Sequence, residues 1–98
     1  MKFFAILDVK ANYFQTPFAD KTTVDAIRGF TSVVNKKGTI YNDFPDDFAI
    51  CELGEFDVNT GKIAPHQNPI NISTGRPLLK ADAPTGAPMP MSNAPRAV

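Results

Sequence analysis

A chain of 98 residues with 43% apolar and 20% charged side chains is long enough for one folded unit and too short for two. Ten Lys/Arg balance ten Asp/Glu, and a formal net charge of zero argues against a protein that condenses nucleic acid by bulk positive charge. One cysteine (Cys51) and one histidine (His66) leave no internal disulfide and no zinc centre of ordinary ligand number.

No apolar run approaches the roughly eighteen residues of a membrane-spanning helix. The N-terminal apolar run FFAIL is cut by Asp8, which makes it too short and too acidic for a secretory signal. The charge is unevenly spread. Residues 1–64 hold seven Lys/Arg against nine Asp/Glu, and residues 65–98 hold three against one. Any phosphate contact must therefore come from a local patch.

In chain order, "KFFAILDV" reads as a strand with Phe3, Ala5, Leu7 and Val9 on one face and Phe4 and Ile6 on the other. Apolar residues on both faces predict a central strand. "DVKAN" supplies turn residues, and "YFQTPFA" returns as a short strand that must lie at an edge or break at Pro17. "TTVDAIRGFTSVVNKKG" is the clearest helix, about fourteen residues long. Thr22 is its N-cap with Asp25 three residues on, Lys36 and Lys37 fall in the last turn, and Gly38 is the left-handed stop. Its apolar stripe is Val24, Ile27, Thr31 and Val34, widened by Ala26, Phe30 and Val33. Gly29 in the middle costs about 1 kcal/mol relative to alanine, which a close helix–sheet approach would explain.

"NDFPDDF" reads as a loop, and "DFAICELGEFDV" as a long strand with a bulge at Gly54. Asn59-Thr60-Gly61 forms a hairpin turn with its glycine left-handed, and Ile63 continues the returning strand until Pro65 ends it. From residue 65 onward seven of thirty-four residues are proline. The expectation is a compact domain over 1–64, then a Pro-rich segment with irregular structure over 65–75 and a mobile tail over 76–98. The fold class is α+β: a small sheet of three or four strands, antiparallel or mixed, with one helix on one face. A unit this small is marginal alone. Its second apolar face should be covered by residues 63–79 or by another copy of the chain, which predicts a homodimer.

Phosphate-binding loops are absent, since neither GxGxxG nor GxxxxGK[ST] occurs. Asp46, Asp47, Glu52, Glu55 and Asp57 lie close in sequence, but no histidine accompanies them, and capping or solvated roles are expected. Cys51, within FAICEL, reads as a small buried hydrophobe, and His66 is too far into the Pro/Asn-rich segment to serve it as a base. No enzyme and no cofactor are expected.

The joint order of "FFAILD", "PF", "AIRGF" and "FPDDFAICELGEFDVNTGKI" resembles the small non-structural protein family of gokushovirus-type microviruses, tailless phages with a circular single-stranded DNA genome. The resemblance covers about residues 2–64. Phe44-Pro45-Asp46-Asp47-Phe48 departs mildly from the family's HPEDF-like segment, and the Pro-rich tail lies outside the pattern. The resemblance implies a DNA-binding protein, or one acting in viral single-stranded DNA synthesis, in the cytoplasm of the bacterial host. It transfers no catalytic motif.

Two functions follow. One is a sequence-tolerant single-stranded DNA binder, with Lys10, Tyr13, Phe14 and Tyr41 as stacking rings and neighbouring cation, and Arg28, Lys36, Lys37 and Lys62 as further positive charge. Tyr13 leads, because it follows a turn and its hydroxyl suits a half-exposed position. Phe3, Phe30, Phe48 and Phe56 belong to the core, and Phe14 and Phe18 tend there too. The other function is a dimeric adaptor acting on viral or host replication proteins without touching DNA, favoured by the near-neutral charge. Its tail could serve as an extended ligand for a partner groove.

Overall fold

The computed structural model describes residues 1–80. The elements run β1 (Lys2–Asp8), β2 (Tyr13–Phe14), β3 (Phe18–Asp20), α1 (Thr23–Val34), α2 (Ile40–Asp43), a 3-10 turn (Pro45–Asp47), β4 (Phe48–Phe56), β5 (Ile63–Thr74) and a second 3-10 turn (Arg76–Leu78). All strand pairs are antiparallel, in the order β2-β1-β4-β5, with β3 also beside β1. The α+β expectation holds, with two very short strands raising the count to five. β1 is central, as its two-sided apolar pattern requires.

α1 packs one face. Phe4, Ala26, Phe30, Val34, Phe48 and Ile50 form the core, with Ile6, Phe18, Tyr41, Ile72 and Leu78 around it. Thr22 caps the helix by accepting from the Asp25 backbone N–H at 3.1 Å, as its sequence demanded. The C-terminus differs from expectation. The helix has twelve residues and stops at Val34, with Asn35 as C-cap. Lys36 and Lys37 lie beyond the last turn, and Gly38 takes its left-handed φ of 87° further on. The Asn35 side chain explains the early stop, since it donates to the Thr31 carbonyl and competes with the next helical turn.

Val24 and Val33 belong to the periodic stripe yet are 60% and 37% exposed, because twelve residues over a narrow sheet bury only Ala26, Phe30 and Val34. The close approach proposed for Gly29 is absent too. A Cβ there would meet nothing within 4 Å, and the residue instead borders an open apolar cleft with Ile6, Phe18, Phe30 and Tyr41. Gly29→Ala should therefore raise stability by up to about 1 kcal/mol, read as a higher urea midpoint at unchanged slope.

The segment expected as a loop holds the 3-10 turn Pro45–Asp47 and begins within α2, a short helix not expected from the sequence and capped by Thr39, whose Oγ1 accepts from Asn42 N–H. The long strand and its bulge are present: the β4–β5 register shifts between Glu52 and Gly54. Gly61 is left-handed at φ 76°, and the Asp57 carboxylate accepts from the Asn59 and Thr60 amides to close the hairpin.

The largest correction concerns residues 65–80. Pro65 does not end the returning strand, and the expected irregular segment is mostly strand, since β5 runs twelve residues to Thr74. It survives two prolines because it lies at the edge of the sheet, where one side of each residue has no ladder partner to lose. Between Pro65, opposite Gly54, and Ile70, opposite Glu52, four residues bulge outward. The first residues of the expected tail are also held: Arg76 Nε and Nη2 donate to both Asp46 carboxylate oxygens, and Lys80 N–H donates to Asn35 Oδ1. The remainder of the expected tail, 81–98, lies outside the described residues.

Candidate nucleic-acid interface

At the end of the sheet where β1 finishes, residues 9–12 turn the chain back into β2. Asn12 adopts a left-handed φ of 58°, its N–H donates to the Asp8 carbonyl at 2.7 Å, and the Ala11 N–H donates to Asp8 Oδ1 at 2.9 Å. These bonds fix a short hairpin that carries Lys10 in its turn and Tyr13 and Phe14 on its return. Tyr13 is 54% exposed and Phe14 42% exposed. Register pairs Tyr13 with Asp8 and Phe14 with Leu7, so successive side chains place the two rings on opposite faces of the hairpin. They form two separate stacking surfaces instead of one continuous platform.

Tyr41 is built differently. Its ring meets Phe48 edge-on at 4.7 Å, and its hydroxyl donates to Gln15 Oε1 at 2.8 Å. Gln15 N–H in turn donates to the Ile6 carbonyl. Tyr41 therefore braces α2 against the hairpin, with its ring half-buried.

The cations divide by position. α1 ends beside the last residues of β5: the Asn35 side chain donates to the Leu78 carbonyl, and Gly75 N–H donates to the Phe48 and Pro45 carbonyls. That is the same end of the sheet as the β1–β2 hairpin, since Asp8 pairs with Phe48. Lys36 and Lys37 thus join Lys10 at one end. Two carboxylates there are already engaged, Asp8 in the hairpin turn and Asp46 with Arg76. Arg28 projects from the exposed middle of α1. Lys62 lies in the β4–β5 hairpin at the opposite end, roughly 25 Å away along β4. The structure places Lys10, Tyr13, Phe14, Lys36 and Lys37 at one end of the sheet, the hairpin beside β1 and the lysines of the α1 end beside the end of β5, and Lys62 at the other end.

A polar cleft of about 220 Å³ at this end is lined by Asn35, Lys37, Asn42, Leu79 and Lys80. Lys80 escaped the sequence reading because it was assigned to a loose tail.

Two further expectations concern the acids and the thiol. Cys51 is buried, and burial pushes its thiol pKa up, as a packing residue requires. A histidine does accompany one of the acids, contrary to expectation. Glu52, 7% exposed, meets His66 Nε2 at 2.7 Å, accepts from Thr23 Oγ1 at 2.9 Å and lies 3.4 Å from Lys2 Nζ. The outward bulge of β5 carries His66 to it, which no sequence spacing announces. Among the described residues no group of three or more His, Cys, Asp or Glu could hold a metal ion, and no helix is long and apolar enough to cross a membrane.

The molecule is thus a small α+β protein with one helix on an antiparallel sheet and an exposed aromatic hairpin at one end. The family model for the Phage ORF5 protein matches residues 1–78, and the chain belongs to that family, which makes it a phage protein. No curated protein and no solved structure matches.

Proposed function

We propose that this phage protein binds single-stranded DNA without strong sequence preference during genome replication, at the switch to single-stranded DNA synthesis, in the host cytoplasm. This is the role implied by the resemblance to the small gokushovirus-type non-structural proteins. The observation that carries it is the exposed Tyr13 ring on a hairpin whose turn holds Lys10, with Lys36 and Lys37 at the same end of the sheet. A base stacks on an aromatic face whatever its identity, while ammonium groups follow the backbone.

Tyr13→Ala should weaken binding of a labelled oligothymidylate by about 1–3 kcal/mol, a factor of about 5–150, in fluorescence anisotropy. Its thermal midpoint should stay close to that of the parent, because the residue is exposed and little burial is lost. Binding should also weaken with salt by a log–log slope of about 0.7 per neutralised phosphate. Unchanged affinity in the alanine variant, or salt-insensitive binding, refutes this reading.

A second reading, a dimeric adaptor for replication proteins without DNA contact, is favoured by one observation. Away from α1, an open apolar cleft of about 250 Å³ is lined by Phe3, Pro17, Leu53, Gly54, Ile63 and Pro65, with Ile63 60% exposed. Among the described residues no charged side chain lines it, which suits a second copy of the same surface. Sedimentation equilibrium at micromolar concentration separates the readings, since Ile63→Glu dissociates a dimer formed there and leaves DNA affinity at the distant hairpin intact.

A further inference from the structure

We infer that the open apolar cleft between α1 and β1 is the docking seat of the chain's own C-terminal segment, residues 81–98, with the Met89-Pro90-Met91 stretch entering it. The seat needs no DNA and goes beyond the DNA-binding reading above.

The chemistry of the cleft selects the occupant. About 160 Å³ is enclosed by Ile6, Phe18, Phe30, Val33 and Tyr41 around Gly29. Among the described residues the wall offers one polar side-chain atom, the Tyr41 hydroxyl, and that donates to Gln15 Oε1 at 2.8 Å. A nucleobase or a phosphate would give up hydrogen bonds to water there and find none in return. The cleft therefore suits a wholly apolar side chain. A cavity of about 150 Å³ takes a benzene-sized group, so there is room for one methionine. Three rings in the wall favour its thioether, whose sulfur is attracted to aromatic edges.

Gly29 keeps the cleft open. A glycine in mid-helix costs stability relative to alanine. No packing demands one here, since a Cβ would meet nothing within 4 Å. Room for an incoming side chain accounts for it.

The chain leaves the described residues beside this cleft. Asn35, the C-cap of α1, donates to Leu78 O at 3.0 Å and accepts from Lys80 N–H at 2.7 Å, two positions after Val33 in the cleft wall. From Val33 to Ala26 the cleft runs about 10 Å along α1. The nine residues from Lys80 to Met89 reach about 30 Å when extended, which spans it easily. Beyond Lys80 the large apolar side chains are Met89, Met91 and Val98. Pro88 and Pro90 flank Met89, and the fixed φ of each cuts the chain entropy lost on docking. A short tether also holds its end at an effective concentration in the millimolar range, so a modest contact suffices.

The test uses the full chain with 13C-labelled methionine methyls, of which there are three, Met1 included. In dilute solution the Met89 or Met91 methyl should lie upfield of its position in urea, moved by the ring currents of Phe18, Phe30 and Tyr41, and should show nuclear Overhauser contacts to those rings. Gly29→Leu, which fills the cleft from within α1, should return that methyl to its urea position while the Phe4 and Ile50 core resonances stay in place. Met89→Ser/Met91→Ser, which leaves the folded core untouched, should shift the Phe18, Phe30 and Tyr41 ring resonances. Both methyls at their urea positions in the parent overturn the seat and leave the cleft to an apolar side chain of another protein. An upfield shift that appears only as concentration rises, with contacts between differently labelled chains, overturns docking within one chain and assigns the cleft to the segment of a second copy.

Discussion

Glu52→Ala should lower the free energy of unfolding by about 3 kcal/mol, seen as a reduced urea midpoint. Glu52 lies in the middle of β4 and gathers one group from each neighbouring element: Lys2 from β1, Thr23 from the first turn of α1 and His66 from β5. An ionised carboxylate only accepts, so the short contact requires the imidazole proton on Nε2. Truncation leaves the His66 N–H and the Thr23 hydroxyl without their acceptor, and the cost of partly buried, unpaired donors dominates the loss. The Lys2 contact contributes little, because its side chain is one-third exposed and 3.4 Å away. Glu52→Gln keeps the volume and should cost less, about 1–2 kcal/mol.

The same site sets a pH dependence. Burial pushes the Glu52 pKa up, but hydrogen bonds from His66 and Thr23 and the charge of Lys2 outweigh it and hold the carboxyl below its ordinary value. A carboxylate with a lowered folded-state pKa stabilises the fold fully above the unfolded-state value, about 4.3 for glutamate. That contribution is lost as the pH falls through the lower folded value. The stability gap between the parent and Glu52→Gln should therefore be widest near neutral pH and should close on acidification. A gap that stays constant down to the acid transition means that Glu52 is not held ionised by these partners.

Gly54→Ala should destabilise by about 2–3 kcal/mol, although it adds a single methyl group. A Cβ at this position would lie 2.5 Å from the Ala64 carbonyl oxygen and 2.7 Å from Pro65 Cα, both backbone atoms that no rotamer change can move aside. Relief requires β5 to shift away from β4 at the bulge, which also disturbs the strand start that feeds His66 to Glu52. Hydrogen exchange should report faster exchange for amides of the β4–β5 hairpin than for those of α1. Gly29→Ala, the same chemical change, should act in the opposite direction, because the space beside Gly29 is open.

That contrast shows how far the residues alone reach. Gly54 is legible as a bulge because a glycine interrupts an alternating run, and Thr22 as a cap because its hydroxyl acts on a backbone N–H three residues away. Gly61, between two strands, carries its turn in its own backbone preference. Gly29 was misread, since the space beside a helical glycine is decided by what packs opposite it. β5 was cut short for a related reason: proline forbids a ladder bond only on a side that has a partner, and edge position is a property of the whole sheet. The Tyr41 ring and hydroxyl are engaged by Phe48 and Gln15, partners 7 and 26 positions away in the chain. No local pattern separates such a brace from an exposed platform.

The capped helix, the bulge, the left-handed hairpin turn and the exposed hairpin aromatic follow from interactions within a few residues of one another, and the amino-acid sequence alone determined them. The grouping of Lys10, Lys36, Lys37 and Lys80 at one end, the exile of Lys62 and the meeting of His66 with Glu52 depend on strand order and on a four-residue bulge at the edge. Those are set by long-range burial and pairing, for which the free energy is shared among distant residues, and only the tertiary structure decided them.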